Sequence, residues 1–431
     1  MAALSLAQPV LAEPAFPPKA SRDGRYLVDA KNQPFFYHAD TPWMLLKLNP
    51  VEAGEFLEDR RAKGFNALQI LLTGFIDMKN HAGESPFEGE FDLARPNEVY
   101  FAHADAVIQK ASDMGFLLAI APLWSGCCDE GWAGEKDGKP KPLNVNGAKK
   151  ARQWGHWVGA RYAKFPNIIW IMGGDHDPEQ SLEVINALAQ GIHEMAPHHL
   201  MTAHNYPDRS SADFYDDQGW LSLNAAYSYR ELHAPVYKEW SRNGTVRPVV
   251  LIESGYEREA NDKRQGDPFR LRRQVYAAVL NGALAGHAYG HRDIWKFNDR
   301  WRDAMADPGA KQMAHVKQLF ATRAWWKLEP DQGDGLVTQG RGKIGEDGYV
   351  SAARAADGSL VIVYLPHARP VSVNLARLSA PVKAHWVDPT DGSTRAVEGS
   401  PLANDAIHEF RPPGGNVWED SDWVLLLETS R

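Results

Sequence analysis

From Phe35 to Trp326 short apolar runs rich in β-formers alternate with longer stretches of helical period, and this rhythm constrains the fold more than any other feature of the chain. The strand candidates are 35–38, 67–72, 117–122, 168–172, 200–203, 221–225, 249–252 and 284–288, eight in all. Helical stretches lie at 50–63, 98–114, 147–164, 178–195, 210–216, 229–242, 267–282 and 310–326. Pro50, Pro178 and Pro268 suit first helical turns, and Gly64 and Gly115 stand where helix-ending glycines belong. Eight strand–helix units in about 290 residues predict an α/β fold of the (β/α)8 TIM-barrel type. A doubly wound sheet would place a glycine-rich phosphate loop after an early strand, and none stands there. Residues 20–33, with turn signals at Asp23-Gly24 and Lys31-Asn32, read as a hairpin closing the barrel floor.

A chain of 431 residues exceeds what one hydrophobic core usually serves. After about Asp334 the texture changes to short strands separated by turns such as Asp357-Gly358 and Asp391-Gly392. Runs at 360–365, 385–387 and 423–427 predict a small C-terminal β-sandwich. The expected division is therefore a leader over 1–20, a barrel over 21–333 and a sandwich over 334–431. The leader reading rests on the apolar stretch ending Val10-Leu11-Ala12 before a proline-rich segment, and it implies a periplasmic or secreted protein. Cys127 and Cys128 are adjacent and cannot staple distant segments; a vicinal disulfide and two free thiols both remain open.

Composition narrows the partners. With 44% apolar residues, 24% charged and a formal charge of -8, the chain offers no polyanion-binding surface, so nucleic acid is not expected. No run of about 18 apolar residues marks a membrane span. The 15 Trp, 14 Tyr and 16 Phe include flat faces suited to the C–H faces of sugar rings, although core packing accounts for most of them.

In a (β/α)8 barrel the active site is built at the C-terminal ends of the strands, so the polar residues just beyond each apolar run matter most. They include His38, Asp40, Gln69, Trp124, Asp175, Asp177, His204, Asn205, Tyr227, Glu253 and His291. Asp175 leaves the apolar run at 168–172 through Gly173 and Gly174; it is either a catalytic carboxyl or a cap for the following helix, a role Asp177 fits better. Glu253 ends the seventh run, and burial there demands a function or an ion pair, with Arg247 or Arg258 as partner.

Carboxyls on strands four and seven face each other across the mouth. That suits glycoside hydrolysis, with Asp175 as acid/base and Glu253 as nucleophile; two carboxyls about 5 Å apart disfavour double ionisation and leave a proton on one of them. His38, Asp40, His204 and His291 read as partners for sugar hydroxyls or as satisfied core groups. A metal hydrolase would want two histidines one residue apart on strand one, where His38-Ala39-Asp40 stands, so neither metal nor other cofactor is expected. Trp43, Trp124 and Trp295 are candidate stacking platforms, and Tyr227 and Tyr256 are candidates to position Glu253.

The stretches 35–43, 97–101, 161–162 with 167–175, 251–257 and 286–291 together resemble the apiosidase-like catalytic domain of glycoside hydrolase family 140. The run Trp170-Ile171-Met172-Gly173-Gly174-Asp175 is the most specific element. The resemblance continues into the small C-terminal domain named for collagen binding, for which a packed structural role is the better reading. It implies an exo-acting retaining glycosidase releasing a terminal pentofuranose, above all β-apiose, from a plant glycan such as pectin or a plant glycoside. The acid/base and nucleophile fall on Asp175 and Glu253. Related barrels usually carry Asn-Glu on strand four; Gly174-Asp175 lacks that amide, which leaves Asn205 or His204 to meet a sugar 2-hydroxyl. An arabinofuranosidase-like specificity, a non-catalytic carbohydrate-binding barrel and a metal-dependent hydrolase are the competing functions.

Overall fold

The computed structural model describes residues 13–89, 91–126, 130–259, 266–333 and 335–429. Cys127, Cys128 and residues 1–12 of the expected leader lie outside the described residues. Eight parallel strands form the barrel: β1 (Tyr37–Asp40), β2 (Ala67–Leu71), β3 (Leu117–Ala121), β4 (Ile168–Gly173), β5 (Leu200–His204), β6 (Asn224–Tyr227), β7 (Val249–Glu253) and β8 (Gly286–Tyr289). Their order is β5-β4-β3-β2-β1-β8-β7-β6. The two ends of that order meet where Leu223 N donates to Met201 O at 3.1 Å and Thr202 Oγ1 to Leu223 O at 3.0 Å.

Among the described residues ten helices accompany them: α1 (Pro50–Ala62), α2 (Glu98–Asp113), α3 (Pro142–Tyr162), α4 (Leu182–Met195), α5 (Ala212–Tyr215), α6 (His233–Trp240), α7 (Pro268–Leu280), α8 (Arg292–Trp295), α9 (Trp301–Ala304) and α10 (Pro308–Ala321). Asn49 and Glu52 close a reciprocal capping box at the start of α1. Helix α3 begins ahead of the predicted Gly147, which instead marks a kink inside it.

The floor is closed by a small antiparallel sheet of Lys19–Ala20, Leu27–Val28 and Pro34–Phe35. Leu27 plugs the barrel interior among Tyr37, Ala119, Ile169, Thr202, Leu223 and Val250. Part of the expected leader belongs to this floor: Ala15 N donates to Asp29 Oδ2 at 3.1 Å, and Phe16 packs edge-on against Phe35.

Side-chain alternation along the strands decides what faces the barrel axis. On β1, Tyr37 points inward, so His38 and Asp40 point outward to the helix layer. On β4, Ile169 and Ile171 point inward, and Trp170 lies outside against Tyr162 and His199.

Nine further strands make the C-terminal domain: β9 (Leu328–Pro330), β10 (Val337–Gln339), β11 (Ser351–Ala355), β12 (Leu360–Leu365), β13 (Val371–Asn374), β14 (Val382–Val387), β15 (Thr394–Ala396), β16 (Ile407–Phe410) and β17 (Trp423–Thr429). A six-stranded sheet, β9-β11-β12-β17-β14-β15, faces a three-stranded sheet, β10-β13-β16. Val361, Val363, Leu425 and Leu427 fill the space between the sheets, while Ile362, Tyr364, Val424 and Leu426 join the barrel's core. Burial on both faces explains why β12 and β17 read as nearly continuous apolar runs.

The barrel side of this joint holds one buried ion cluster. Arg272 of α7 donates through Nε and Nη2 to the two oxygens of Asp422 at 2.9 and 2.8 Å, and Tyr364 Oη donates to Asp422 Oδ2 at 2.9 Å. Tyr276 stacks on Tyr364 with centroids 4.6 Å apart. Removing one partner strands a buried charge, so Arg272→Met is expected to cost about 3–5 kcal/mol of stability. Urea unfolding of the full chain checks this; an unchanged midpoint would show that the cluster contributes nothing.

Candidate active site

Strand β4 delivers Asp175 to the mouth through two glycines whose backbone explains their identity. Gly173 and Gly174 have φ of 75° and 151°, which side-chain-bearing residues rarely adopt. A Cβ on Gly174 would lie 2.7 Å from Trp124 Cδ2 and 2.8 Å from Gly126 N, and one on Gly173 would lie 2.4 Å from His204 O. The close approach packs the Asp175 turn against the Trp124 loop. Tyr227 Oη, on β6, donates to Asp175 Oδ1 at 3.1 Å.

Strand β7 carries Glu253, and its direction depends on an irregularity. Val250 and Ile252 face the barrel axis, so strict alternation would turn Glu253 outward. The β6–β7 register slips there: Ala226 pairs with Leu251, but Tyr227 pairs with Glu253. The extra residue on β7 lets Ile252 and Glu253 both face inward, the re-aiming that strand irregularities provide beside active sites.

Two groups hold the Glu253 carboxylate. Tyr229 Oη donates to Oε1 at 2.9 Å, and His204 Nε2 lies 2.7 Å from Oε2. His204 Nδ1 is 3.1 Å from Asn205 O, which can only accept, so Nδ1 is the donor of that pair.

Asp175 and Glu253 line one pocket of about 160 Å3 with Trp43, Leu71, Phe75, Trp124, Tyr229, Tyr256, Glu259 and Trp295. Tyr256 Oη accepts from Trp43 Nε1 at 2.7 Å, and the Trp43 and Trp124 rings sit 5.0 Å apart. Burial and then the charge of Glu253 push the Asp175 carboxyl up to about 6, with His204 and the Tyr227 hydrogen bond acting in the opposite sense. Apolar walls, a carboxyl that holds its proton towards neutral pH and a second one held by two donors form a site able to protonate one atom while presenting an anion to its neighbour.

Of the residues singled out in the sequence, Asp175, Glu253, Trp124, Tyr227, His204 and Tyr256 come together around this pocket, with Trp43 and Trp295 in its wall. Others do not. His38 is buried outside the barrel, 3.0 Å from His287 Nε2 and stacked on Phe65. Asp40 forms a fully buried ion pair with Arg60 of α1. Both follow from alternation on β1, which aims them at the helices. Gln69 points into the barrel below the pocket, where Nε2 donates to Ile252 O at 2.8 Å. Asn205 donates to Ser210 O at 2.8 Å and holds its loop. His291 caps α8 by accepting from Asp293 N and lies 2.9 Å from Asp307.

Four narrower expectations are also corrected. Tyr227 serves Asp175, and the groups that hold Glu253 are Tyr229 and His204. Arg247 pairs with Asp216 and Arg258 with Asp307, so neither is the partner of Glu253. Asp177 accepts from Tyr206 N at 3.2 Å and faces Arg209, so it neither lines the pocket nor caps α4. His204 and Asn205 both spend polar atoms on the protein itself. Sequence reasoning missed Tyr229, Phe75 and Glu259; for Tyr229 a signal existed, since it stands two residues beyond Tyr227 and shares its direction. Among the described residues no group of three or more His, Cys, Asp or Glu is arranged to hold a metal ion, and no helix is long and apolar enough to cross a membrane.

A (β/α)8 barrel with two carboxyls in an aromatic-walled pocket at its C-terminal mouth has the architecture of a glycoside hydrolase. The apiosidase-like catalytic domain matches residues 21–327, and the domain described as "putative collagen-binding domain of a collagenase" matches 330–428. The chain belongs to the apiosidase-like family and is a glycoside hydrolase. A solved structure titled glycoside hydrolase is 24% identical with a TM-score of 0.83, covering 96% of this chain and 97% of its own. A family 5 glycoside hydrolase from Bacteroides vulgatus is 25% identical with a TM-score of 0.82, covering 96% of this chain and 93% of its own. A family 30 endoxylanase from Clostridium papyrosolvens, at 11% identity and a TM-score of 0.50 over 92% of this chain and 97% of its own, shares the fold alone. No curated protein matches.

Proposed function

We propose that the protein is an exo-acting retaining glycosidase that releases a terminal pentofuranose, foremost β-apiose, from a plant glycan or plant glycoside. One observation carries the proposal: Asp175 and Glu253 share a pocket of about 160 Å3 with aromatic walls. That volume lies well below the roughly 300–1,000 Å3 of sites for drug-sized ligands and suits a single sugar ring, which favours removal of a terminal residue.

In this reading the sugar stacks on the indole wall and places its anomeric carbon at Glu253. The raised Asp175 carboxyl donates its proton to the departing oxygen as Glu253 attacks, forming a glycosyl ester. Asp175, now ionised, takes a proton from water, which opens the ester and restores both carboxyls. Tyr229 and His204 hold the nucleophile's two oxygens, so the carboxylate is aimed before substrate enters.

An acid that must be protonated loses function as pH rises past its pKa. The basic limb of kcat/KM is therefore expected near pH 6, where Asp175 titrates. Tyr227 stabilises the ionised form, so Tyr227→Phe is expected to move that limb to higher pH; a limb that stays in place or moves down would separate it from Asp175.

The test of function is a panel of 4-nitrophenyl glycosides, including β-apiofuranoside and α-arabinofuranoside, together with apiose-containing glycans. The released sugar is identified and its first anomer read by NMR. Release of β-apiose with retained configuration is expected. Preference for arabinofuranoside would reassign the sugar, and cleavage of internal bonds only would overturn the exo reading.

A further inference from the structure

The pocket holds a third carboxyl, on Glu259, to which the two-carboxylate chemistry gives no task. Its direction is set by the loop after β7. Glu257 is pinned on the outer side: its carboxylate accepts from Tyr289 Oη at 2.5 Å and from Gly309 N at the start of α10, and its backbone pairs with Gly290 and Arg292. Arg258 also faces outward, to Asp307, and its φ of 61° reverses the chain. Glu259 is thereby turned back over the pocket, with its N donating to Tyr256 O at 3.1 Å.

Among the described residues the Glu259 side chain has neither a hydrogen bond nor an ion pair, in contrast to Glu257, which is fully engaged. Arg292 and Lys296 act on it electrostatically and oppose the effect of burial and of the other two acids. Trp295, Phe75 and Tyr256 line the same pocket. A carboxylate without a hydrogen-bond or ion-pair partner among the described residues, in a pocket of about 160 Å3 with aromatic walls, has two acceptor oxygens to offer a ligand. The ligand groups that match are two adjacent hydroxyls, whose spacing suits bidentate acceptance, on a sugar without a carboxylate of its own, because a uronate would add a fourth like charge.

We propose that Glu259 is a specificity-determining residue whose carboxylate accepts hydrogen bonds from a vicinal diol of the neutral sugar ring seated beside Asp175 and Glu253. This rests on the glycosidase reading above and adds to it a residue that selects the ring's hydroxyl pattern.

The test compares wild type, Glu259→Gln and Glu259→Ala on 4-nitrophenyl β-apiofuranoside and on its 2-deoxy and 3-deoxy analogues, with thermal melts as a check on folding. Hydrogen bonds to a charged group predict that Glu259→Ala loses about 10- to 100-fold in kcat/KM on the parent, with Glu259→Gln between it and wild type. On either analogue, which keeps only one of the two gripped hydroxyls, the wild-type advantage is expected to shrink to about 3- to 10-fold, as each partner of a hydrogen bond is worth little without the other. Equal losses on parent and both analogues would mark a structural role and overturn the proposal, as would unchanged activity of Glu259→Ala. No wild-type turnover of any furanoside would overturn the parent reading and this one with it; wild-type turnover with an indifferent Glu259 would overturn this one alone.

Discussion

Glu253→Gln is expected to abolish turnover on every glycoside, activated aryl substrates included, with a loss beyond the roughly 10^4-fold upper range of acid–base effects. The amide keeps the shape of the side chain but cannot form the glycosyl ester, and among the described residues neither Asp175 nor Glu259 is held by two donors as Glu253 is by Tyr229 and His204. A good leaving group does not help when the attacking atom is missing. Initial rates with 4-nitrophenyl glycosides check this, and retained activity on any of them would remove Glu253 from the role of nucleophile.

Asp175→Asn is expected to behave differently, and the difference separates the two roles. Loss of the acid slows cleavage of poor leaving groups by about 10^2–10^4-fold, whereas a nitrophenolate departs without protonation, so the first step on such a substrate is largely spared. The second step then stalls for want of a base. The pH profile should also lose its basic limb near pH 6, which belongs to this carboxyl.

Stability supplies a further sign. The folded-state pKa of about 6 lies above the ordinary aspartate value of 3.8. Ionised Asp175 therefore opposes folding: the effect is absent below pH about 4, grows between about 4 and 6, and is complete above 6. The asparagine variant is expected to melt at a higher temperature than wild type at pH 7 and no higher at pH 4. A variant that melts lower at pH 7 would mean that its lost activity reports damage to the fold.

The barrel was legible because each strand is an apolar run bounded by helical period, and the strand carrying Trp170 to Gly173 is apolar on both faces. Asp175 was legible because the two glycines before it announce a turn that no other residue adopts cheaply. Glu253 was found by counting strands, but its inward direction was not readable, since it comes from a one-residue slip between β6 and β7 that leaves no mark in the sequence.

The histidines show the converse. His38 and Asp40 look like site residues by type and by position at a strand end, yet the inward Tyr37 fixes both on the outer face, against His287 and Arg60. Glu259 escaped notice because its direction depends on Glu257 and Arg258 being anchored to α10 and its preceding turn, which are distant in the chain. The C-terminal sheet was visible as strands, but its second buried face, locked to α7 through Arg272 and Asp422, needed the packed structure to appear.

Trapping the intermediate examines the paired carboxyls most directly. Asp175→Asn protein is mixed with 4-nitrophenyl β-apiofuranoside and quenched within the first turnovers, and its peptides are mapped by mass spectrometry. A burst of nitrophenolate matched by one pentosyl group esterified to Glu253 is the expected result. Turnover with no adduct, or an adduct on any other residue, would contradict a mechanism in which Asp175 and Glu253 work together across the same pocket.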